Sequence, residues 1–135
     1  MHVDHYLDIA PLPVEGAEQA PGLIVRRITS SGAADATMDI CEIGAGASSA
    51  LHAHSWEHQV FVVAGQGAVT DGRDPIRFRA GDVVVIPADQ THQFVNVGDS
   101  NVLFICLRPT AALTSSPHDL TAGDGGEASS ATKGT

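Results

Sequence analysis

The stretch GAGASSALHAHSWEHQVFVVAG, residues 44–65, is the most informative part of the sequence for the fold because of the spacing of its three histidines. His52 and His54 are two residues apart, so on a β-strand both imidazoles point to the same face of the sheet. His58 has the same parity and faces the same side if a turn through residues 55–57 returns the chain to the sheet. Three histidines aimed at one interior are typical of a metal site inside a β-structure.

A second stretch, GDVVVIPADQTHQFVN at residues 81–96, adds a fourth histidine directly after a turn marked by Pro87. In a barrel, four inward imidazoles from three strands would meet at one point. Neutral imidazoles that close together need a cation, or each needs its own hydrogen-bond partner. A lone histidine in a strand usually has a structural role, but this set predicts one metal site, with the ligands His52, His54, His58 and His92.

The rest of the chain predicts an all-β domain. Short apolar, β-branched runs alternate with turn residues and lack a helical period, so we expect almost no helix. Strands are predicted near residues 23–29, 36–43, 50–54, 58–64, 68–71, 76–79, 82–87, 92–96 and 101–107. This number of short strands favours a jelly-roll barrel, in which closure removes exposed sheet edges.

The barrel is predicted to span residues 23–110. Residues 1–22 form an arm that could add an edge strand, at YLDIA, or exchange a strand with a second copy. Residues 111–135 are rich in Ser, Thr, Gly and Ala and predict a disordered or extended tail. A chain of 135 residues suits one domain of this kind.

Charge and composition restrict the partners. The net charge of −9, from 16 acidic and 7 basic residues, argues against nucleic acid and anionic membranes and favours a small molecule. No signal peptide and no apolar run of membrane-spanning length are visible, so a cytoplasmic location is expected. Cys41 and Cys106 lie in apolar strand patterns, which predicts two buried thiols. A disulfide between them is the alternative.

Both stretches resemble the two motifs of the cupin superfamily, and the resemblance covers about residues 40–107. The first motif is a glycine, a His-x-His pair, a third ligand and a second glycine, which match Gly46, His52, His54, His58 and Gly65. The second motif matches Gly81, Pro87, Asp89, His92 and Asn96. Asp89 replaces the usual glycine, so it must adopt the positive φ of that turn itself.

The third-ligand position, usually glutamate in the family, is His58, with Gln59 as a rival. The chain thus resembles the all-histidine subgroup of small cupins, which implies one divalent ion per chain: Mn, Fe, Ni, Cu or Zn. Without a carboxylate ligand the ion keeps its full charge, which favours an anionic chelating substrate such as an enolate or catecholate.

This site favours a metal-dependent, dioxygenase-like oxygenase acting on a small enolate- or phenol-type substrate. A non-redox Lewis-acid enzyme (a polyketide cyclase, isomerase or lyase) and a non-catalytic small-molecule-binding cupin are the alternatives, because the barrel alone does not imply catalysis. The resemblance also implies a homodimer.

Other residues are weaker candidates for the site, and each has an ordinary structural alternative. Trp56 could cover the pocket mouth or pack at a dimer contact, and Cys106 could be an extra ligand or an oxidation site. Phe94 and Phe104 could line the pocket or simply fill the core. The amides that could hydrogen-bond ligand imidazoles, or be ordinary turn or surface groups, are Gln59 and Asn96.

Overall fold

Eight β-strands form the framework of the part of the chain that the computed structural model describes, residues 1–13, 22–28 and 35–111. The strands are β1 (Leu23–Arg27), β2 (Ala36–Ile43), β3 (His58–Ala64), β4 (Gln66–Thr70), β5 (Pro75–Arg79), β6 (Val83–Ile86), β7 (Gln93–Asn96) and β8 (Val102–Pro109). These residues contain no α-helix, and none of their helical turns is long and apolar enough to cross a membrane. The predicted tail beyond residue 111 and residues 14–21 of the predicted arm lie outside the described ranges.

The strands form two antiparallel sheets that enclose the core. The larger sheet has the order β1-β2-β8-β3-β6 and the smaller has β5-β4-β7. Alternate residues of each strand point inward, as in β8, where Val102, Phe104 and Cys106 are buried. Phe78 and Phe94 of the smaller sheet join this core. The all-β prediction is confirmed, and the site described below lies at the end of the barrel where β3 and β7 begin.

The predicted strand at residues 50–54 is replaced by isolated antiparallel bridges, Ser48 to Val95 and His52 to His92. The segment runs along β7 only briefly. After His52 it turns toward the loop between β6 and β7, where the carbonyl of His54 accepts a hydrogen bond from the backbone N–H of Asp89 at 2.7 Å. A regular ladder therefore cannot continue past His52.

The described part of the N-terminal arm lies against its own sheet. The short segment Tyr6–Asp8 forms a 3₁₀ turn where an edge strand was considered. The N–H of Leu12 bonds the carbonyl of Val25 at 2.8 Å, and Nε of Arg26 donates to the carbonyl of Ile9 at 3.0 Å. These bonds attach the arm to β1 of the same chain.

Two turn residues adopt the left-handed conformation for different reasons. Asp89 has a φ of 67°, so the aspartate takes the positive φ that the sequence required of it. Gly65 has a φ of 85°, and a Cβ there would lie 2.5 Å from the carbonyl oxygen of Asn101. Only glycine fits at the end of β3, where the backbone turns against β8.

Candidate metal centre

Two loops and two strand ends bring the four predicted histidines together. His58 is the first residue of β3, and His92 directly precedes β7. His52 and His92 exchange backbone hydrogen bonds of 3.0 and 2.8 Å, which hold their Cα atoms opposite each other. The bond from Asp89 to the carbonyl of His54, 2.7 Å long, fixes the second loop against the first.

The four imidazoles form one cluster, as the sequence predicted. One nitrogen from each of His52, His54, His58 and His92 lies within 4.8 Å of the others. His54, His58 and His92 are buried, and His52 is partly exposed. Their rings lie at angles of 50° to 85° to one another rather than in parallel stacks, so the nitrogens can converge on a single point.

Backbone carbonyls set the tautomers of two of these histidines. Nδ1 of His54 donates to the carbonyl of Trp56 at 2.9 Å, and Nδ1 of His92 donates to the carbonyl of Gln90 at 2.8 Å. A carbonyl only accepts, so each Nδ1 carries the proton and each Nε2 keeps its lone pair. Both Nε2 atoms are buried and have no hydrogen-bond partner among the described residues. A buried lone pair without a partner is what a metal ligand presents before it binds its ion.

The side chain of Cys106 supports His58 rather than joining the cluster. Its Sγ lies 2.8 Å from Nδ1 of His58 and 3.9 Å from the carbonyl oxygen of Leu107. Burial raises the pKa of the thiol to about 12, so the sulfur keeps its proton, which it can donate to Leu107 while it accepts from His58. Both cysteines are free, and Cys41 is also buried.

All four imidazoles are neutral at physiological pH. Burial, and next the neighbouring His92, lower the pKa of His52 to about 3 and that of His54 to about 2. Burial is also the main cause that lowers the pKa values of His58 and His92. Because metals bind the neutral imidazole, no proton has to leave at neutral pH before an ion can bind.

A second buried polar group, which the sequence analysis missed, lies next to the cluster. The indole of Trp56 stacks on the imidazole of His54, with ring centroids 3.6 Å apart and planes 10° apart. The guanidinium carbon of Arg108 lies 4.4 Å from the centre of that indole. Arg108 also pairs with Asp39 at 3.1 Å, and Arg27 reaches the same carboxylate with two bonds of 2.7 and 2.8 Å.

Strand parity carried a signal for this second group. Asp39 shares its face of β2 with Cys41 and Ile43, and Arg108 shares its face of β8 with Cys106. Both charged residues therefore had to point inward, where a lone charge is too costly to leave unpaired.

The two predicted pocket phenylalanines lie in the core beside the cluster. The ring of Phe94 has its centroid 6.2 Å from that of His58 and 6.1 Å from that of His92, and it stacks on Phe104 at 4.9 Å. No contact between the ring of Phe104 and the histidines is seen among the described residues. Phe94 thus backs the imidazoles, and Phe104 supports Phe94.

The structure does not bring the two predicted amides to the imidazoles. Gln59 is exposed on the outer face of β3 and donates to Glu57 at 2.8 Å. Asn96 is buried, but its Nδ2 donates to the carbonyls of Ile43 and Ser100 at 2.9 and 2.8 Å. Its Oδ1 accepts from the N–H of Gly98 at 2.9 Å, so Asn96 holds the turn after β7.

A cavity of about 550 Å³ opens beside the cluster, and His92 forms part of its wall. Most of the wall is apolar and comes from β4, β5 and β6, with Phe78, Val84 and Ile86 among its residues. Polar side chains also line it, including the exposed Arg77 and the half-buried Asp82. Its volume is in the usual range for small-molecule sites.

Comparison with known proteins agrees with this fold. A family model described as "Cupin domain", Cupin_2, matches residues 39–108, more than half of the chain. No curated protein sequence matches the chain significantly.

Solved structures with a similar fold include the polyketide cyclase RemF of Streptomyces resistomycificus, with 22% identity, a TM-score of 0.70, and 82% of this chain and 80% of that chain covered. A predicted oxalate decarboxylase of Thermotoga maritima has 21% identity and a TM-score of 0.68, over 78% of this chain and 96% of that one. A cupin-2 domain protein of Rhodospirillum rubrum has 26% identity and a TM-score of 0.64, over 74% and 67%.

Proposed function

The chain belongs to the Cupin_2 domain family, and on that premise we propose that it is a metal-dependent enzyme acting on a small, largely apolar substrate that chelates through an enolate or phenolate. The reaction we propose is a non-redox one, such as ring closure of a polyketide. One observation carries the proposal. Four neutral imidazoles converge, and the Nε2 atoms of His54 and His92 are buried without a protein partner.

The donor set fits a divalent ion. His52, His54, His58 and His92 would hold it, and imidazole nitrogen suits Zn, Cu, Fe and Ni, with Mn also accessible. When bound, the ion would act as a Lewis acid that stabilises negative charge on an enolate or phenolate oxygen. Within the described part of the chain no carboxylate belongs to the cluster, so the ligands would not offset the charge of the ion.

The chain's own residues would orient the substrate. The cavity beside His92 is large enough for a molecule of a few fused or linked rings, and its apolar wall favours such a molecule over a sugar or an amino acid. Arg77 and Asp82 at that wall could bind polar groups on the part of the substrate farther from the imidazoles.

The comparisons support the choice of reaction only by analogy. RemF is a polyketide cyclase with the same fold, but at 22% identity the likeness concerns the fold. Polyketide chains carry β-dicarbonyl groups, which enolise readily and chelate metal ions. Their chemistry therefore matches what a four-imidazole centre beside an apolar cavity would select.

Oxygenation of the same class of substrate is the second candidate. The observation in its favour is that no Asp or Glu of the described residues joins the imidazole cluster, so the cluster offers no protein acid or base for proton transfer. A reaction between a chelated substrate and O₂ depends less on proton transfer by a protein side chain. Imidazole ligands also suit redox-active ions such as Fe and Cu.

The first test is elemental analysis of the untagged protein, followed by reconstitution with Mn, Fe, Ni, Cu and Zn in turn. We expect about one ion per chain, and loss of that ion in His52→Ala. The loaded protein is then incubated with linear and aromatic β-diketones and with catechols, with and without air. Mass spectrometry distinguishes cyclised products, which lose water, from oxygenated products, which gain oxygen.

Turnover that continues without air supports the non-redox proposal, and turnover that stops without air supports the oxygenase. Gln59→Ala is the matched control, since Gln59 is adjacent to His58 in sequence but exposed on the other face of β3. Failure of the wild-type chain to bind any of the five ions would overturn the proposed function.

A further inference from the structure

We propose that Trp56 and Arg108 are positioning residues for the ligand His54. In this arrangement, Arg108 fixes the indole of Trp56, and the indole fixes the plane of the His54 imidazole. The inference rests on the proposed metal-binding function but concerns residues outside the ligand set.

Trp56 holds His54 at two points. The indole lies nearly parallel to the imidazole, with centroids 3.6 Å apart and planes 10° apart. The carbonyl of the same tryptophan accepts the bond from Nδ1 of His54 at 2.9 Å. The ring contact fixes the plane of the imidazole, and the hydrogen bond fixes its rotation within that plane. Together they determine the direction of the Nε2 lone pair.

Arg108 in turn holds the indole. Its guanidinium carbon lies 4.4 Å from the indole centre, at cation–π distance, and Arg108 is 2% exposed. The guanidinium is itself fixed because Nη2 lies 3.1 Å from the carboxylate of Asp39, which is fully buried. Arg27 holds the other side of that carboxylate with two bonds of 2.7 and 2.8 Å. The position of His54 thus depends on a rigid group in the core.

The arrangement does more than fill space. A leucine or phenylalanine at position 56 would fill the core next to His54 without a buried cation beside it. Burying Arg108 against Trp56 costs desolvation free energy that packing alone would not require. Trp56 also touches a second ligand, since its ring centroid is 4.8 Å from that of His58. One indole therefore contacts two of the four imidazoles.

The test compares Trp56→Leu with Trp56→Phe, which keeps an aromatic face against His54. We expect Zn²⁺ affinity, measured by competition with a chromogenic chelator, to fall about 10- to 100-fold in Trp56→Leu, as for other groups that orient metal ligands. Trp56→Phe is expected to bind Zn²⁺ much more tightly than Trp56→Leu, close to the affinity of the wild type. Val25→Ala is the control, because it also opens the core but lies on β1, away from the histidines.

The second readout is electron paramagnetic resonance of the Cu²⁺-loaded chain. In the wild type, the copper signal is expected to show coupling to four imidazole nitrogens, and Trp56→Leu is expected to alter that pattern. Arg108→Met should alter it in the same direction, and Arg108→Lys, which keeps the cation, should alter it less. A role in packing alone would lower stability without changing the copper spectrum.

One measurement does not depend on any variant folding. In the metal-free wild-type chain, the ring current of Trp56 is expected to move the imidazole proton signals of His54 upfield of those of His52 and His92. Unshifted His54 signals, or a Trp56→Leu chain that folds and binds Zn²⁺ as tightly as the wild type with an unchanged copper spectrum, would overturn the inference alone. Absence of metal binding by the wild type would overturn the proposed function and the inference with it.

Discussion

Two polar clusters lie side by side in this barrel, and they differ in whether their polar atoms have partners within the protein. In the ion-pair cluster, the carboxylate of Asp39 meets Arg27 and Arg108 over distances of 2.7 to 3.1 Å. In the imidazole cluster, formed by the four histidines, two buried Nε2 atoms have no protein partner. Trp56 contacts both clusters.

The difference separates structure from function. Folding selects against buried polar groups that lack partners, so a cluster whose charges are matched within the protein can be explained by the fold alone. A cluster that leaves lone pairs unmatched in the core makes sense only if something else binds them. By this criterion Asp39 belongs to the scaffold, and His92 is assigned to the proposed metal-binding function.

The largest effect is expected from Asp39→Asn. This change leaves two guanidinium groups packed together without their buried counter-charge, and the loss of one partner from a buried ion pair costs about 3–5 kcal/mol. Urea unfolding of the metal-free chain measures the loss. The control is Glu42→Gln, which breaks the less deeply buried pair with Arg26 (2.8 Å) and should cost about 1 kcal/mol or less. Equal losses in the two variants would contradict the comparison.

A smaller effect, on Zn²⁺ affinity rather than on stability, is expected from His92→Leu. Zn²⁺ affinity should fall at least ~100-fold, equivalent to about 3 kcal/mol. The free energy of unfolding of the metal-free chain should change by about 1 kcal/mol or less, because loss of the hydrogen bond from Nδ1 to the carbonyl of Gln90 is offset by removal of the buried Nε2, which has no partner among the described residues. Calorimetric titration and urea unfolding give the two values. A metal-free variant destabilised as strongly as Asp39→Asn would show that His92 serves the scaffold.

The smallest effect is expected in the acid stability of the metal-free chain. The pKa of His54 is lowered to about 2, first by burial and then by His92, whereas an unfolded histidine titrates near 6.5. Below about pH 6.5 the unfolded chain therefore takes up a proton that the folded chain does not. The free energy of unfolding should fall on acidification by up to about 1.4 kcal/mol per pH unit from this residue.

His54→Leu removes that contribution, so its stability should decline less steeply than that of the wild type between about pH 6 and pH 4. Urea unfolding at several pH values in this range, in the presence of a chelator, gives the two slopes. Parallel slopes would mean that His54 takes up its proton over the same pH range in the folded and unfolded chains, and the lowered pKa of His54 would then be wrong.

The sequence predicted the histidine cluster because parity and turns are local properties. His52, His54 and His58 share a face by spacing, and His92 follows the turn that Pro87 marks. The family resemblance supported this ligand set and required the positive φ that Asp89 adopts. The bound ion, the substrate and the homodimer stay predictions, as does the cytoplasmic location.

What the sequence analysis missed depends on contacts between distant segments. Asp39 and Arg108 lie on paired strands but are far apart in the chain; strand parity turns each inward, but only the pairing of β2 with β8 brings the two charges together. Of the two amides, Gln59 lies on the face of β3 opposite His58, and Asn96 was misassigned because its partners are not apparent from the local sequence. Asn96 could be assigned to the imidazoles until the structure showed its bonds to Ile43 and Ser100.

The stack between His54 and Trp56 has a further consequence for anyone handling this protein. Trp56 is the only tryptophan in the chain, so the ultraviolet emission of the whole molecule comes mainly from a ring 3.6 Å from an imidazole of the cluster. A bound ion with unpaired electrons, such as Cu²⁺, would quench that emission, and Zn²⁺ would leave most of it. If the imidazole cluster binds an ion as proposed, the emission of the unmodified chain would report whether the cluster is occupied and whether the ion has unpaired electrons.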